Sequence, residues 1–448
     1  MASISISNDV QLILNILEEN NFEAYVVGGC VRDSILGKEP KDWDICTSAL
    51  PNQVLESFSN YRVIETGLKH GTVTVIVNDI GYEITTYRID GEYSDNRRPD
   101  KVEFTTSLKE DLSRRDFTIN AMAYNEKCGL IDYFTGLEDL TNKIIRCVGN
   151  PLDRFNEDAL RMMRAIRFSC QLEFDFSQNV IDSIMDLNTN IRNISVERIK
   201  DELCKILISN KPIDGICHLV QTDLMQYIIP ELYDTLKFNQ YNKHHDKDVF
   251  NHILEVVSNT PPTLELRLSA LLHDIGKPQC FTQGENDQGH FIGHHKISAD
   301  MSRKILTRLR FDNKTIDKVC LLVYEHMSRY DKLRTPNTKK FINRVGIDNL
   351  DDLFELQIAD IKGCAKEYQN FDNVLKLKQE CSKIISERQP LSIKDLDING
   401  KDLINLGYKQ GKEIGEILKQ LLELVLESPE LNNREELLKI INKINYHI

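Results

Sequence analysis

The pattern of apolar residues changes about one third of the way along the chain, and this change sets the fold class. Up to about Ile145 short strand-like runs alternate with helical segments, whereas from Arg154 onward helical periodicity continues to the end. The early pattern predicts helices at QLILNILEENN, CVRDSILG and PNQVLESFS, strands at AYVV and KDWDICTS, and a hairpin TVTVIVNDIGYEITTYR turned at Asn78 to Gly81. We therefore predict an α+β protein, with an α/β head containing one small sheet, followed only by helices.

The composition is that of a folded protein without a membrane segment. The 448 residues suffice for roughly three domains, and a hydrophobic content of 41% is ordinary for globular proteins. No stretch approaches the ~20 apolar residues of a membrane span, and the first residues lack the basic start of a secretory signal. The 11 cysteines are scattered without a CxxC pair, which is typical of free thiols, so we expect a cytoplasmic protein.

The net charge of −13 argues against a protein that binds nucleic acid over its whole surface. An RNA site must therefore be a local basic patch, although such clusters are also ordinary solvated faces. Two stretches qualify, one with Arg97, Arg98, Lys101, Lys109 and Arg114, the other with Arg161, Arg164 and Arg167.

Three acidic residues predict a metal site in the head. Asp42 and Asp44 flank the chain's one tryptophan, and in an extended segment their side chains point to the same face and repel unless a cation lies between them. Glu83 lies on the predicted hairpin, opposite Tyr82 and Ile84, so that an adjacent strand brings it to the same ion. Three carboxylates suit magnesium, which lowers the pKa of an attacking hydroxyl and neutralises a leaving pyrophosphate. The alternative is surface acids without a function.

Two further motifs offer groups that hold phosphate and sugar. In GGCVRD, glycines with free N–H groups follow a strand, and an arginine lies in the next helical turn. In RRDFTINAMA, polar side chains precede a predicted apolar helix, in a position to hold triphosphate and sugar, and a charged helix cap is the alternative interpretation. The candidate nucleotide-binding residues of these motifs are Gly28, Gly29, Arg32, Arg115, Asp116 and Asn120.

The segment RFNEDALRMMRAIRF predicts a helix with a basic stripe. Asp158 and Arg161 lie one turn apart on it, and Arg164 and Arg167 continue the stripe opposite an apolar face. A structural ion pair is one interpretation of Asp158 and Arg161. The other is base recognition, because a carboxylate accepts from an exocyclic amine and a guanidinium donates to a ring nitrogen, an arrangement that C and A offer but U and G reverse. One pair would then select both CTP and ATP.

Taken together, these motifs resemble the class II, bacterial-type CCA-adding tRNA nucleotidyltransferases. The resemblance rests on GGCVRD, KDWDICTSA, YEITTYR, YSDNRRPDKVEFTTSL, RRDFTINAMA, EDALRMMRAIRF and SVERI in the same order, and GKDLINLGYKQGKEIGEIL is similar to the family's tail. It implies template-independent addition of C, C and A to the tRNA 3′ end from CTP and ATP. It further implies Mg²⁺ at Asp42 and Asp44 with help from Glu83, nucleotide binding by Arg115 and Asp116, and a protein template of Asp158 and Arg161.

The resemblance leaves the added nucleotides open, because CC-only and A-only enzymes share this core. In the family a flexible segment after the third acid is needed for the switch to adding A. The segment Gly91–Pro99, GEYSDNRRP, keeps its full length, which disfavours CC-only addition. A-only addition and poly(A) polymerase activity remain alternatives.

A second constellation lies in the helical part, in the segments DVFNHILEV, LLHDIGKP, GHHKISADM and LQIADIKG. It resembles the HD metal-dependent phosphohydrolase superfamily, whose four ligands would here be His252, His273, Asp274 and Asp360. Imidazole and carboxylate together suit a transition metal such as Ni, Mn, Co or Fe that activates water. Lone histidines are otherwise structural. Further candidates are His290, His294 and His295 for a second metal position, and His244 and His245 as competitors of His252.

We predict four regions: a nucleotidyltransferase head (1–146), a helical neck with the nucleotide-selecting helix (147–212), a helical body with the HD domain (213–370) and a tRNA-binding tail (371–448). The leading hypothesis is a nucleotidyltransferase acting on the tRNA 3′ end, with a second hydrolytic activity in the HD domain. The runner-up is an HD phosphohydrolase whose head mainly binds RNA. The three head acids, present together with the base-selecting pair, favour the first.

Overall fold

The predicted change from mixed to helical structure is present in the computed structural model, which describes residues 4–91, 102–241, 246–284, 288–328 and 334–445. The α+β prediction is confirmed. The chain separates into two compact units, Met1–Pro230 and Glu231–Ile448, each with its own buried apolar core. The finer division into head, neck, body and tail stays a prediction.

The described strands lie mostly in the first unit. Their bounds are β1 (Ala24–Val27), β2 (Asp44–Thr47), β3 (Arg62–Gly67), β4 (Thr72–Val77), β5 (Ile80–Thr86), β6 (Arg88–Asp90), β7 (Val102–Phe104), β8 (Met122–Asn125), β9 (Gly129–Asp132), β10 (Ile144–Ile145), β11 (Asp175–Phe176), β12 (Thr282–Gln283) and β13 (Gly289–His290). One sheet contains seven of them in the order β3-β4-β5-β2-β1-β8-β9. Within it β2 and β5 are parallel neighbours, whereas the other adjacent strands are antiparallel.

The predicted hairpin is β4 and β5. Every second residue of β4 is a valine, which buries one side of the strand, while Thr72, Thr74 and Ile76 on the other side are half-buried, as a strand with a single core face requires. The turn consists of Asn78 and Asp79, which both have positive φ (49° and 64°), the backbone of a two-residue hairpin turn whose twist matches the strands. The turn is thus shorter than predicted, and Gly81 lies in β5 opposite Ile76.

The predicted strand KDWDICTS is shorter than expected at its start. Pairing of β2 begins at Asp44 against Glu83 and at Ile45 against Val26, so only DICT is a strand. Asp42 lies in the bend before it. The expectation that both acids lie on one strand was wrong, because the neighbouring strands offer β2 its ladder partners only from Asp44 onward.

Helices pack against the sheet and form most of the remaining described residues. In the first unit they are α1 (Asn8–Glu19), α2 (Gly29–Ile35), α3 (Pro51–Ser57), α4 (Leu108–Ser113), α5 (Gly136–Asn142), α6 (Pro151–Glu157), α7 (Leu160–Leu172), α8 (Gln178–Leu187), α9 (Val196–Leu207), α10 (Pro212–Gln221) and α11 (Met225–Ile228). In the second unit they are α12 (Val249–Asn259), α13 (Leu264–Leu272), α14 (Lys277–Cys280), α15 (His294–Arg308), α16 (Asn313–Glu325), α17 (Thr335–Val345), α18 (Leu350–Gly363), α19 (Asp372–Ser386), α20 (Gly400–Asn405), α21 (Lys412–Glu427) and α22 (Arg434–Asn445).

Sequence signals explain several helix starts. Ser7 accepts a hydrogen bond from the Val10 amide at the start of α1, and Asp248 accepts one from the Asn251 amide at the start of α12. Pro51 occupies the first turn of α3, as predicted. The apolar helix predicted after Asn120 was wrong, because Met122–Asn125 form the buried strand β8, which pairs with β1. Among the described helices, none combines the length and apolar character that a bilayer crossing requires.

Three sequence-based expectations concern residues outside the described ranges. One is the basic patch, of which Arg97, Arg98 and Lys101 lie there. The predicted flexible segment Gly91–Pro99 lies there except for Gly91, between β6 and β7, which pair with each other. The competing histidines His244 and His245 also lie outside the described residues.

Candidate active sites

The three predicted head acids are exposed carboxylates at the junction of β2 and β5. Asp44 is the first residue of β2 and pairs in register with Glu83 on the parallel strand β5, so the two side chains stand side by side on one face of the sheet. Asp42 lies two residues before, in the preceding bend. Partial burial raises the pKa of Asp44, Arg115 opposes this rise, and the negative charge of Asp42 adds to it. A hard divalent cation would relieve this repulsion, and oxygen ligands are those it prefers.

The glycine turn at the start of α2 lies next to two guanidinium groups. Gly28 has φ 83°, and a Cβ atom there would lie 3.2 Å from Nη1 of Arg115. A Cβ atom on Gly29 would lie 3.6 Å from Nη2 of Arg32. The turn thus needs glycine both for its backbone conformation and for the close approach of Arg115. Arg32 and Arg115 thus provide positive charge beside the turn, and the charge of Arg115 also acts on Asp44.

A buried carboxylate that the sequence reasoning missed, Asp111, positions Arg115 and its neighbour Arg114. Asp111 is fully buried in α4 and accepts hydrogen bonds from Nε of Arg114 at 3.0 Å and from Nη2 of Arg115 at 3.3 Å. Burial would raise the pKa of Asp111, but the two guanidinium groups hold it below its usual value. The i,i+3 and i,i+4 spacing of an acid and two arginines in KEDLSRR is the signal that would have found it.

The candidate nucleotide-binding residues Asp116 and Asn120 form a chain of hydrogen bonds with two arginines. Arg32 donates from Nη1 to Oδ1 of Asn120 at 2.6 Å, and Asn120 donates from Nδ2 to Oδ1 of Asp116 at 3.2 Å. Arg164 donates from Nε to Oδ2 of Asp116 at 2.8 Å. Burial would raise the pKa of Asp116, but Arg164 and Arg161 hold it well below its usual range. This chain brings together side chains from three separate sequence motifs.

The segment around Asp158 corrects the prediction of one continuous helix. It consists of α6 and α7, and Asp158 lies between them with extended backbone angles (φ −136°, ψ 102°). Its Oδ1 atom accepts a hydrogen bond from the Leu160 amide at 3.1 Å, because the short acidic side chain satisfies a free amide at the start of α7. Asp158 and Arg161 therefore do not share a helix face.

Asp158 and Arg161 also have ion-pair partners that the sequence reasoning did not name. Asp158 accepts from Nη2 of Arg198 at 2.8 Å, and Arg198 lies on α9 within the SVERI motif. Arg161 donates from Nη1 to Glu157 at 2.5 Å and from Nη2 to the carbonyl oxygen of Arg114 at 2.9 Å. All of these residues belong to the motifs quoted above, but sequence spacing alone gave no indication of the pairing between α9 and the α6–α7 junction.

The predicted basic stripe is present along α7. Arg161, Arg164 and Arg167 are half-buried, and apolar neighbours between them are buried. Arg167 donates from Nε to Glu202 at 2.5 Å and lies 4.0 Å from the centre of the Phe168 ring. The guanidinium groups of Arg32 and Arg164 lie 5.2 and 5.5 Å from the same ring. The arginines are thus held by partners rather than extended into solvent.

In the second unit, the four predicted HD ligands meet in one buried cluster. Nε2 of His252 lies 3.3 Å from Oδ2 of Asp274 and 3.1 Å from Oδ1 of Asp360, and Nε2 of His273 lies 3.2 Å from Oδ2 of Asp274. The four residues come from α12, the end of α13 and α18. His252, His273 and Asp274 offer ligand atoms within 4.8 Å of one another.

Backbone carbonyl groups fix the orientation of both imidazole rings. Nδ1 of His252 faces the carbonyl oxygen of Gly363 at 3.2 Å, and Nδ1 of His273 faces that of Ala270 at 2.8 Å. Each Nδ1 must therefore donate, which directs Nε2 toward the carboxylates, as in histidine metal ligands. Gly363 contributes by lacking a side chain, because a Cβ atom there would lie 2.9 Å from the His252 ring.

The charges of this cluster fit a cation. Burial alone would lower the pKa of His252, but its hydrogen bonds to Asp274 and Asp360 raise it to about 9. Nε2 of His252 faces two carboxylates, and a divalent cation placed between these groups would balance their charge. The mixture of nitrogen and oxygen ligands suits a transition metal.

A second group of ligands adjoins the first, and it only partly matches the prediction. Asp274, His294 and His326 offer ligand atoms within 4.8 Å of one another. His294 was predicted for this position, whereas His326, at the end of α16, was missed because no recognisable motif surrounds it. The ring of His295 instead packs near Tyr324, and His290 is exposed on β13.

A cavity of about 420 Å³ opens onto both groups of ligands. Its wall includes Asp274, His294, His326 and Asp360, together with Lys277 and other residues. The Nζ atom of Lys277 lies 2.7 Å from Oδ2 of Asp274 and donates to Gln240 at 2.7 Å. A small molecule in this cavity would thus meet carboxylate, imidazole and ammonium groups.

The sheet with its paired acids and the glycine turn with its arginines define a nucleotidyltransferase head. Residues 24–146 match the family described as the poly A polymerase head domain, residues 173–236 the probable RNA and SrmB-binding site of polymerase A, and residues 288–441 the tRNA nucleotidyltransferase domain 2 family. The CCA-adding enzyme of Ligilactobacillus salivarius is 34% identical over 439 residues, which cover 96% of this chain and 95% of that protein. The chain belongs to the CCA-adding enzyme family.

Solved structures agree with this assignment. The Bacillus stearothermophilus CCA-adding enzyme, solved in complex with CTP, is 28% identical, with a TM-score of 0.73 and 98% of each chain covered. The Thermotoga maritima CCA-adding enzyme, solved in complex with tRNA, shares the fold, with a TM-score of 0.55, 20% identity and coverage of 98% of this chain and 96% of that one. The predicted membership of the CCA-adding enzyme family is confirmed, whereas the assignment to class II and the HD domain stay predictions.

Proposed function

We propose that the chain is a class II enzyme that adds C, C and A to the 3′ end of tRNA from CTP and ATP and releases pyrophosphate. The observation that carries this proposal is the register pairing of Asp44 with Glu83, beside Asp42 and Arg115. Free cysteines persist in a reducing compartment, which supports action in the cytoplasm. The tail, residues 371–448, is proposed to contact the tRNA.

In the proposed reaction, the 3′ hydroxyl oxygen of the RNA attacks the α-phosphorus of the nucleoside triphosphate. The bond between this phosphorus and the bridging oxygen breaks, and pyrophosphate leaves. Mg²⁺ held by Asp42 and Asp44, with Glu83 beside them, would lower the pKa of the hydroxyl and neutralise the pyrophosphate. Arg115 and Arg32 flank the glycine turn and would bind the phosphate oxygens.

We assign sugar binding to the hydrogen-bonded residues Asp116 and Asn120, and base recognition to the α6–α7 junction. Asp116 and Asn120 are already oriented by Arg164 and Arg32, so they present fixed groups to a nucleotide. For Asp158 and Arg161, base recognition requires that a base shares or replaces the contacts of Asp158 with Arg198 and of Arg161 with Glu157. The proposed template therefore comprises two ion pairs.

The test uses purified protein and tRNA transcripts that end before CCA, after C, and after CC. Each transcript is incubated with CTP or ATP alone and with both. Addition of C, C and A to the shortest transcript is expected. Extension only of the transcript ending in CC would identify an A-only enzyme, and a long adenosine tail would identify a poly(A) polymerase; either result would overturn the proposal.

A second function, phosphoester hydrolysis in an HD domain, is supported by the inward Nε2 atoms of His252 and His273 beside Asp274 and Asp360. A transition metal such as Ni, Mn, Co or Fe bound there would activate water for attack on phosphorus. Hydrolysis of p-nitrophenyl phosphate and its bis ester tests the function. Turnover that is equal in the wild type and in His273→Ala/Asp274→Ala would overturn it.

A further inference from the structure

We propose that Asp139 is a positioning residue for nucleotide addition: it fixes Thr118, and thereby the orientation of the Asn120 amide. The inference rests on the function proposed above, and Asp139 belongs to none of the motifs that indicated that function. Asp139 lies on α5 and is 2% exposed, so it is too enclosed to contact a nucleotide. Any effect of Asp139 on addition must therefore pass through the residues that it holds.

The turn that carries Asn120 is too short to hold its own position. Residues Thr118–Asn120 form a single 3₁₀ turn without a side-chain cap, and the hydrogen bonds within such turns have poor geometry. The Asn120 side chain is nevertheless precisely placed, since its Oδ1 atom accepts from Arg32 at 2.6 Å and its Nδ2 atom donates to Asp116 at 3.2 Å. The support must therefore come from the segments that contact the turn.

Each polar group of Thr118 has a partner. Its amide donates to the carbonyl oxygen of Arg146 at 2.9 Å, and its carbonyl oxygen accepts from the Ala121 amide at 2.9 Å. Its hydroxyl group donates to Oδ2 of Asp139 at 2.6 Å, and Asp139 also accepts from Nε of Arg146 at 3.1 Å. Thr118, Asp139 and Arg146 thus form a closed loop of hydrogen bonds. Because Thr118 and Asp139 are buried, loss of either partner leaves an unsatisfied polar group.

Gly136 allows α5 to approach the turn closely enough for this contact. A Cβ atom there would overlap the carbonyl oxygen of Thr118. The start of α5 is itself fixed, because the Asp132 carboxylate accepts hydrogen bonds from the amides of Gly136 and Leu137, both at 2.9 Å. Asp132 is the last residue of β9, which pairs with β8 in the sheet. The helix that carries Asp139 is therefore a fixed support for the turn.

The alternative is that Asp139 only stabilises the fold through its ion pair with Arg146. The Arg146 side chain is 45% exposed, and water weakens an ion pair with so exposed a guanidinium group. The hydrogen bond from the Thr118 hydroxyl group is buried and joins α5 to the motif that carries Asn120. A purely structural role would lower only the melting temperature, whereas a positioning role lowers the nucleotide affinity of the folded protein.

The experiment measures the dissociation constants of CTP and ATP for the full-length protein with Mg²⁺ and without RNA, by isothermal titration calorimetry below the melting temperature of each variant. Thr118→Val removes the hydroxyl group but keeps the shape of the side chain, and Asp139→Ala removes its partner. Both are expected to weaken the binding of both nucleotides about tenfold. Thr118→Ser, which keeps the hydroxyl group, and Glu138→Gln, an exposed neighbour on α5, are expected to bind as the wild type does.

A second background tests whether the effect passes through Asn120. In Asn120→Ala, the further substitution Thr118→Val should change the affinity less than about twofold, because the amide that Thr118 positions is absent. An equal loss in both backgrounds would overturn the positioning role, as would unchanged affinity in Thr118→Val, which decides alone if Asp139→Ala does not fold.

These results are distinguishable from a failure of the proposed function. A wild type that extends tRNA with A alone would overturn the proposed addition of C, C and A, yet the ATP affinities would still test Asp139. A wild type that binds neither CTP nor ATP would overturn both proposals.

Discussion

The two groups of candidate metal ligands differ in exposure, ligand type and support. Asp42, Asp44 and Glu83 in the first unit are exposed carboxylates on neighbouring strands and in a bend. The six cluster residues of the second unit are at most 7% exposed, and the four imidazoles among them are each oriented by a backbone carbonyl group. The first group is thus open and formed by oxygen alone, whereas the second is enclosed and mostly nitrogen.

This difference indicates when each ion binds. Exposed carboxylates bind Mg²⁺ weakly by themselves, because the ion retains waters and gains further oxygens only from a substrate phosphate. Preoriented imidazoles bind a transition metal without substrate. We therefore expect the head ion to arrive with the nucleotide and to exchange rapidly, and the ions of the cluster to remain through purification.

The largest expected effect separates the two groups by activity. Asp42→Ala or Asp44→Ala should reduce nucleotide addition about a thousandfold or more, because a catalytic metal contributes several kcal/mol to transition-state stabilisation. Folding and tRNA binding should persist, since removing one acid also relieves carboxylate repulsion. Single-turnover addition of CTP to a tRNA transcript measures the effect.

The matched control for this prediction is Glu39→Ala, which removes an exposed acid three residues before Asp42. It should add nucleotides at the wild-type rate. Near-wild-type addition by either aspartate variant would end the metal assignment in the head.

The reciprocal prediction concerns the cluster. His273→Ala/Asp274→Ala should lose the metal that copurifies with the chain and any phosphatase activity, yet add nucleotides at close to the wild-type rate, because its residues belong to the other unit. Metal analysis and the transcript assay, made on the same preparation, test both parts. A folded variant that loses both activities would contradict independent sites.

Sequence reasoning succeeded where local periodicity decides geometry. The alternation in β4 and β5 predicted a hairpin with Glu83 opposite its buried neighbours, and the structure adds that β5 is the strand beside β2. The HD segments predicted that His252 and Asp360, which are 108 residues apart in the sequence, both lie on helices. The resemblance to the superfamily predicted that the two side chains lie close together. The roles of these residues stay predictions.

Sequence reasoning failed where a contact depends on how helices that are distant in the sequence pack against each other. The Asp158–Arg198 ion pair joins the α6–α7 junction to α9, and the helical pattern did not show the break that frees Asp158. His326 was missed for the same reason, because a single histidine at the end of α16 acquires meaning only when α15 brings His294 to within 3.3 Å. The role of Asp111 could have been predicted from the sequence, since its partners Arg114 and Arg115 are three and four residues away.

A smaller effect is expected at the base-selecting pair Asp158 and Arg161. It tests whether side chains of the open site recognise the base of the nucleotide. Asp158→Ala should slow CTP and ATP incorporation and admit UTP or GTP about tenfold to a hundredfold better relative to them, because an unpaired polar contact costs about 1–3 kcal/mol. Arg198→Ala separates the carboxylate from its ion pair, since it releases Asp158 without removing the carboxylate. Competition among the four NTPs measures selectivity. Unchanged selectivity in Asp158→Ala would mean that the base is read elsewhere.

The smallest expected effect concerns Arg164. Its partner Asp116 belongs to the open site of the first unit, but hydrogen bonds hold the Asp116 carboxylate in place, as backbone carbonyl groups hold the imidazoles of the histidine cluster. Arg164→Ala leaves the buried Asp116 carboxylate without its strongest donor, which should slow addition and cost about 1–3 kcal/mol of folding stability near pH 7. Because the folded-state pKa of Asp116 lies below its unfolded value, this stability is present above about pH 4 and disappears as pH falls toward the folded pKa. The melting temperatures of wild type and variant should therefore differ most near pH 7 and converge below about pH 4.

The same substitution in an Asp116→Asn background should cost much less at every pH. An equal cost in both backgrounds would show that Arg164 acts through its packing against Phe168 rather than through Asp116.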